Sequence, residues 1–204
     1  MLANLSAAAK PFRSHIHSIH YKYVLRRALL KLRQDPEKCL NPSSNVISNL
    51  NYGWQNGGWS ASDAFLRGCI REALLCKGSI LECGTGLTTL AMGVIADIRG
   101  ISILSLEHDE AWAKRVRQVA NDNGIRSVVV HQAPLKDHGH FSWYAMPSER
   151  FSKRFSLVVC DGPPGNTTGG RYGLFPVAHR TFRDDCVILL DDAIRDGEQE
   201  VARR

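Results

Sequence analysis

The stretch that decides the fold is ILECGTGLTTLAMG, residues 80–93. A short apolar run with an acid in it, Glu82, leads into two glycines, Gly84 and Gly86, which are followed by apolar residues at helical spacing. This order predicts a buried strand, a tight turn and a helix, which is how a nucleotide-binding unit of an α/β protein begins. The residues around the turn decide which nucleotide fits it.

Further strands and helices are predicted on both sides of this unit. Apolar, β-branched segments bounded by turn residues predict five strands, over residues 79–83, 101–107, 126–132, 155–161 and 186–192. One helix is predicted between a capping box at residues 60–63 and Gly78, and a second directly after Gly84 and Gly86. Two more are predicted over residues 109–123 and near residues 175–183. Such alternation is typical of a parallel sheet with helices on both faces.

Basic residues are concentrated at the start of the chain. Residues 1–34 contain seven Lys or Arg and no Asp or Glu, whereas the rest has 19 basic and 20 acidic residues. A protein that binds nucleic acid through its whole surface is therefore not indicated, despite the net charge of +6. Residues 14–34 predict a helix, which we interpret as packed on the body with a solvated basic face, as a membrane or nucleic-acid contact, or as an organellar targeting segment. Residues 35–59 predict a linker or an ordered loop.

The remaining composition indicates a globular protein of one domain in a reducing compartment. The 204 residues are 44% hydrophobic and 23% charged, and no run of about 18 apolar residues predicts a membrane span. Six scattered cysteines without a CxxC pair, and no secretory signal pattern, favour the cytoplasm. The pairs His15/His17 and His138/His140 have no cysteine partners at zinc-site spacing, which argues against structural zinc.

The turn itself narrows the choice of nucleotide. A phosphate-binding P-loop is excluded because no Gly-Lys-Ser or Gly-Lys-Thr follows the glycines. A dinucleotide fingerprint has a third glycine where this chain has Thr89, and the carboxylate of Glu82 would repel a pyrophosphate. Glu82 instead suits a ligand with an ammonium group and no phosphate, and S-adenosylmethionine has both properties. Glu107, at the end of the second strand, is expected to accept hydrogen bonds from ribose hydroxyls.

Five segments at the strand ends resemble the successive motifs of class I S-adenosylmethionine-dependent methyltransferases. They are ILECGTGLTT, LSLEHDEAW, VVHQAPL, LVVCDGPPG and VILLDDA, and the resemblance covers roughly residues 52–200. It is closest to a subgroup with a DGPPG loop followed by an RYG-type segment. The resemblance implies a three-layer αβα Rossmann-like fold with parallel strand order 3-2-1-4-5, and an enzyme that uses S-adenosylmethionine. It also implies an N-terminal helix and linker over residues 1–50 and a methyltransferase domain over residues 51–204.

The same resemblance assigns the cofactor to residues that follow the first four strands: Glu82, Gly84, Thr85, Gly86, Glu107, His108, Gln132, Ala133 and Asp161. Glu82 and the two glycines are assigned to the methionine part, and Glu107 to the ribose. Gln132 and Ala133 are expected to border the adenine, and Asp161 to lie near the methyl group. A single carboxylate of this kind is equally well explained as a helix N-cap or a surface charge, so the assignment depends on the whole set.

Acidic residues that end the fourth and fifth strands are the predicted catalytic groups, Asp161 and Asp191. A base is needed in methyl transfer only when the acceptor must lose a proton. Catechol-type methyltransferases, to which the arrangement is similar, hold a metal ion between an acid after the fourth strand and an acid–amide pair after the fifth. Asp161, Asp191 and Asp192 are therefore interpreted as a divalent-metal site in one alternative. In the other, which we favour, Asp191 or Asp192 is the N-cap of the next helix.

Acceptor contacts are predicted in two segments outside the strands. Trp59 belongs to a tryptophan-containing stretch that either caps the core or lines a pocket. Arg171 and Tyr172 end the loop GPPGNTTGGRYG, which is interpreted as a lid over the acceptor or as an ordinary exposed loop. We expect methyl transfer to O or N of a small or glycan-like acceptor.

The family fold continues past the fifth strand to two further strands, whereas the sequence ends at Arg204. We therefore expect these two strands to be lacking, which leaves the edge of the fifth strand uncovered. Three explanations are open: the sequence is a fragment, which we favour, a second copy or another partner covers the edge, or the protein is degenerate. Two other functions stay open. One is an NAD(P)-dependent oxidoreductase, against which Glu82 and Thr89 speak, and the other is a non-catalytic module that contacts a membrane or nucleic acid through its basic helix.

Overall fold

Helices and strands alternate along the chain in the computed structural model, which describes residues 4–56, 61–146 and 155–193 with Gln199, Val201 and Arg203, and side chains from His17 onward. The helices are α1 (Asn4–Gln34), α2 (Pro36–Cys39), α3 (Val46–Trp54), α4 (Asp63–Leu75), α5 (Leu87–Arg99) and α6 (Glu110–Asp122). The strands are β1 (Ser79–Cys83), β2 (Ile103–Glu107), β3 (Val128–Gln132), β4 (Leu135–Asp137), β5 (Ser142–Tyr144), β6 (Phe155–Cys160) and β7 (Phe182–Leu190).

The five longer strands form one parallel sheet in the order β3-β2-β1-β6-β7. The predicted order 3-2-1-4-5 and the Rossmann-like fold are thereby confirmed. The chain contains seven strands among the residues described, because the antiparallel hairpin β4–β5 lies between the predicted third and fourth strands. The strands β6 and β7 are therefore the predicted fourth and fifth. No strand follows β7 among the residues described.

Alternate side chains of the sheet enter two separate cores. Ile80, Ile103 and Leu157 point to one face, where they pack with apolar residues of α1 and of α3 to α6. Their sequence neighbours, among them Leu81 and Val158, point to the other face, which is covered by the β4–β5 hairpin and a short helical segment at residues 174–181. Burial on both faces explains why the strands are almost continuously apolar.

The hairpin β4–β5 was not predicted, because the aromatic segment HFSWYAM, residues 140–146, was interpreted as irregular. Its two strands have three residues each, too few for an alternating pattern to show. Trp143 and Tyr144 are completely buried on the sheet, with exposed fractions of 0% and 1%. The hairpin therefore acts as the cover that a helix provides elsewhere, and it brings Tyr144 to the carboxyl ends of the strands.

The segment predicted as a linker or loop, residues 35–59, contains helix α3 instead. Val46, Ile47, Leu50 and Trp54 are buried along one side of this helix. Asparagine and serine residues between them make the composition resemble a loop, but the apolar spacing is helical and tertiary packing decides the outcome. The boundary proposed at residue 50 lies within α3.

The basic helix α1 packs on the body of the protein. It ends at Gln34 as predicted, because Asp35 caps α2 by accepting a hydrogen bond from the Lys38 backbone N–H at 3.0 Å. Four of its apolar residues, Leu25, Ala28, Leu29 and Leu32, are buried in the helical core. Its basic residues Lys22, Arg26, Arg27 and Lys31 are exposed.

None of the helices in the described part of the chain is long and apolar enough to cross a membrane. All six cysteines are free thiols, and five of them are buried. This agrees with scattered structural thiols rather than a disulfide framework.

Candidate active site

A cavity of about 490 Å³ lies at the carboxyl ends of β1, β2, β6 and β7. In an open parallel sheet this is the edge where ligands bind, near the point at which the strand order reverses. Eight of the residues predicted from sequence line it: Gly84, Thr85, Glu107, His108, Asp161, Arg171, Asp191 and Asp192. The fold thus brings together residues that are more than 100 positions apart in the chain.

Other predicted residues do not line this cavity. Glu82, in β1, and Gly86, in the turn that follows, lie outside the lining. So do Ala133, which is buried, and Gln132, which is exposed beside Glu107. Tyr172 packs against the ring of Phe141, with 5.3 Å between ring centroids. Trp59 lies outside the described residues, so its predicted acceptor contact stays a prediction.

Glu82 lies beneath the glycine turn and is completely buried. Its carboxylate accepts hydrogen bonds from the hydroxyls of Thr88 and Thr89, both at 2.7 Å, and of Ser105 at 2.6 Å. Burial raises the pKa of Glu82 to about 7, against the lowering effect of these hydroxyls. The described contacts of Glu82 therefore join β1, β2 and the first turn of α5.

The turn after β1 is shaped by two close backbone approaches. Gly84 has φ +85°, and a Cβ there would lie 2.7 Å from the backbone nitrogen of Gly162, so only glycine fits without displacement. A Cβ at Gly86 would meet nothing within 4 Å. Gly84 is therefore required by the protein's own backbone, whereas Gly86 leaves open space beside the turn.

Glu107, at the end of β2, is tied to the same turn and is only 4% exposed. Its Oε2 accepts hydrogen bonds from the Thr85 backbone N–H at 3.1 Å and the Thr85 hydroxyl at 2.8 Å. Its Oε1 accepts from the Asp109 backbone N–H at 3.0 Å and lies 3.0 Å from His108 Nδ1. This carboxylate is held in one orientation at the cavity wall.

An aromatic wall that sequence reasoning missed closes the cavity beside Thr85. Trp112 lines the cavity and donates a hydrogen bond from Nε1 to the Thr85 carbonyl at 2.7 Å. The guanidinium of Arg115 lies 4.8 Å from the ring centroids of both Trp112 and Trp54. The sequence after Glu107 predicts helix α6, which contains Trp112. It does not indicate that the indole of Trp112 contacts the glycine turn.

The opposite end of the cavity carries the acidic residues that follow β6 and β7. Side-chain oxygens of Asp161, Asp191 and Asp192 lie within 4.8 Å of one another. Burial, and then the Asp191 carboxylate, raise the pKa of Asp161 to about 7, although Arg171 acts in the opposite direction. Residues 194–198, which follow Asp191 and Asp192 closely, lie outside the described part of the chain, so the interpretation of either aspartate as a helix N-cap stays a prediction.

Arg171 lies among these carboxylates and is 2% exposed. Its NH2 group lies 3.5 Å from Asp161 Oδ1 and 3.3 Å from Asp192 Oδ2. The same guanidinium donates to the backbone carbonyls of Asp161, at 2.6 Å, and of Asp191. A guanidinium therefore already lies against two of the three carboxylates that could hold a divalent metal.

Tyr144 lines the cavity between its two ends, and only the structure reveals its position. Its hydroxyl is buried and has no hydrogen-bond partner among the described residues. It lies directly above Gly162, where a Cβ would come within 2.2 Å of the hydroxyl oxygen. Burial of a hydroxyl without a hydrogen-bond partner costs free energy, because its bonds to water are lost and not replaced. A ligand that forms a hydrogen bond with Tyr144 would offset this cost.

No protein-family model and no curated protein matches this sequence. The fold is nevertheless similar to solved methyltransferase structures. The methyltransferase PaMTH1 of Podospora anserina, solved with S-adenosylhomocysteine bound, aligns over 82% of this chain with a TM-score of 0.50 and 17% identity. Precorrin-6y C5,15-methyltransferase of Geobacter metallireducens aligns over 73% of each chain with a TM-score of 0.55 and 12% identity. The chain spans 62% of the length of the Podospora protein, and at these identities the likeness concerns the fold.

Proposed function

We propose that this chain, which has the fold of the class I S-adenosylmethionine-dependent methyltransferases, binds S-adenosylmethionine in the cavity and transfers its methyl group to O or N of a small or glycan-like acceptor. The observation that carries the proposal is the charge of the cavity. Five carboxylates line it, from Glu107, Asp109, Asp161, Asp191 and Asp192, against one guanidinium. Such a surface favours a cationic ligand and repels the pyrophosphate of a dinucleotide.

The two ends of the cavity suggest how the cofactor lies. Glu107 faces the end beside the glycine turn, where its Oε2 can accept a ribose hydroxyl in place of the Thr85 hydroxyl. The open space beside Gly86 gives room for the methionine part. Glu82 supports this turn from below through its three hydroxyl contacts, and the predicted direct role toward the ammonium group is not needed for the proposal.

We propose that the acceptor binds at the other end of the cavity, beside Asp161 and Asp191. When bound, the cofactor supplies a methyl group on a positively charged sulfur, and the reaction is an in-line displacement. The side chains around it hold the acceptor in line and exclude water, which accounts for most of the acceleration in such a reaction. Where the acceptor must lose a proton, Asp161 is the carboxylate positioned to accept it.

Calorimetry with S-adenosylhomocysteine, beside NAD, tests the proposal directly. We expect micromolar binding of S-adenosylhomocysteine and none of NAD; no binding of the former, or tighter binding of NAD, would overturn it. Gly86→Val should abolish binding while the protein stays folded, because the new side chain fills the open space at the turn. Gly68→Val is the matched control, since a Cβ at this helical position in α4 also meets nothing within 4 Å and lies away from the cavity.

A further inference from the structure

The guanidinium of Arg171 has the surroundings that a metal ion would have in an acidic cluster. Two of the three clustered carboxylates lie within 3.5 Å of its NH2 group. It is also bonded to two backbone carbonyl oxygens, at the ends of β6 and just after β7. Carboxylate and carbonyl oxygens of this kind are the ligands that a hard divalent cation takes.

Loss of the Arg171 side chain, or of its charge, would disrupt the site. A guanidinium is always protonated in proteins, and its planar fork suits several oxygens at once. Arg171 is buried, and its bonds to the carbonyls of Asp161 and Asp191 tie the ends of two neighbouring strands together. A divalent ion between the same carboxylates would lie only a few ångströms from this charge and would be repelled by it.

We propose that Arg171 is the built-in cation of this site and that methyl transfer here requires no divalent metal. That methyl transfer takes place here rests on the proposed function, whereas the exclusion of a divalent metal is a property of the cluster itself. Arg171 acts as a positioning residue, since it fixes the carboxylates that face the acceptor. It follows that the acceptor need not offer two adjacent oxygens for chelation, and a single nucleophilic O or N suffices.

Titration with Mn²⁺ tests the cluster without any acceptor. We expect the wild-type protein, with S-adenosylhomocysteine present, to show no saturable Mn²⁺ binding up to millimolar concentration. Arg171→Met should bind Mn²⁺ at least about tenfold more tightly than wild type, because three carboxylates then lack their cation. Arg171→Lys, which keeps the charge, should stay without binding. Arg183→Met is the matched control, since Arg183 pairs with Asp185 at 2.9 Å on the exposed surface of β7.

Saturable micromolar Mn²⁺ binding by the wild type that Asp191→Asn abolishes would overturn the proposal. A folded Arg171→Met protein that binds no more Mn²⁺ than wild type would overturn it as well, since Arg171 would not be what excludes the metal. If Arg171→Met does not fold, the wild-type titration and the Arg171→Lys protein still decide. Calorimetry with S-adenosylhomocysteine on the same wild-type sample separates the two proposals, because loss of that binding contradicts the proposed function and leaves the metal result standing.

Discussion

The two ends of the cavity use carboxylates in opposite ways. At the ends of β1 and β2, Glu82 and Glu107 accept hydrogen bonds from hydroxyls and backbone N–H groups that the fold supplies. At the ends of β6 and β7, three aspartates lie close together, and two of their carboxylates contact the guanidinium of Arg171. The first end is built by hydrogen bonds to uncharged donors, and the second by charge.

This difference indicates how the work of the site is divided. Hydrogen bonds to neutral donors fix the shape of the turn without adding a counter-charge, so this end keeps its attraction for a cation. At the second end, burial and then the Asp191 carboxylate raise the pKa of Asp161 to about 7, since Arg171 offsets them only in part. The end beside the glycine turn, with its fixed hydrogen-bond geometry, suits the binding of a cofactor of constant structure. The end with the three aspartates suits the acceptor, whose protonation changes during the reaction.

The largest expected effect concerns the shape of the first end. Gly84→Ala should lower the free energy of unfolding by about 3 kcal/mol or more, because φ is +85° and the new Cβ would lie 2.7 Å from the Gly162 nitrogen. Gly86→Ala, two residues further along, should leave stability nearly unchanged because its Cβ enters open space. Chemical denaturation of both variants measures this contrast, and equal losses would show that the close approach of the two glycines does not matter.

The pH dependence of stability distinguishes the buried carboxylate from an exposed one. The native pKa of Glu82 is about 7 and its ordinary value is 4.5, so between these pH values the native state holds a proton that the unfolded state has released. Stability should therefore fall as pH rises through this window, by ~3 kcal/mol for this group. Glu82→Gln should remove this part of the fall and leave the part that comes from Asp161.

Thermal unfolding at pH 5 and pH 8 would measure the change. The exposed Glu110 provides the control variant Glu110→Gln, which should keep the wild-type profile. A Glu82→Gln protein with the same pH dependence as wild type would mean that the carboxylate beneath the turn is ionised throughout the window.

Removal of the carboxylate that faces the cavity should weaken the binding of cofactor and loosen the turn after β1, because both of its oxygens accept hydrogen bonds from backbone N–H groups. Glu107→Gln retains the size of the side chain but loses its charge and one of its acceptor oxygens. We expect about tenfold weaker binding of S-adenosylhomocysteine, or ~1.4 kcal/mol, by calorimetry. Unchanged affinity would remove Glu107 from the proposed ribose contact, and Glu110→Gln again serves as the control.

The smallest expected effect lies between the two ends, at Tyr144. Because its hydroxyl is buried without a partner among the described residues, Tyr144→Phe should leave the ligand-free protein as stable as wild type or slightly more so. The same change should weaken S-adenosylhomocysteine binding about threefold, below 1 kcal/mol, if the ligand supplies the missing partner. Tyr172→Phe, outside the cavity, is the matched control. A destabilised Tyr144→Phe protein with full affinity would refute the assignment.

Sequence patterns located the sheet well because its strands are buried on both faces. β1 was predicted with its observed bounds, since apolar residues at Ile80 and Leu81 face two different cores. β7 begins at Phe182, four residues before its predicted start, because Arg183, Asp184 and Asp185 are charged and exposed. β7 pairs with β6 at Phe182 and then from Val187 onward, so these charged residues lie in an irregular stretch of the edge strand that composition does not reveal.

The site was predictable where residues follow strands directly. Thr85, Glu107, Asp161 and Asp191 come at or just after strand ends, so the parallel sheet alone gathers them at one edge. Trp112 and Tyr144 reach the cavity from a helix and a hairpin, and no local pattern indicates the direction of those side chains. These residues were therefore missed as parts of the lining.

By itself, the sequence determined the succession of the five sheet strands, the glycine turn and the row of acids at the strand ends. Periodicity and turn chemistry are local, so they can be read along the chain without knowing what packs against what. Only the tertiary structure decided what each acid contacts. Glu82 lies beneath the turn because three hydroxyls from β2 and α5 meet it there, and the cluster after β6 and β7 holds Arg171 because the loop folds back into it. Electrostatic roles depend on distances and burial between remote segments, and those exist only once the chain has folded.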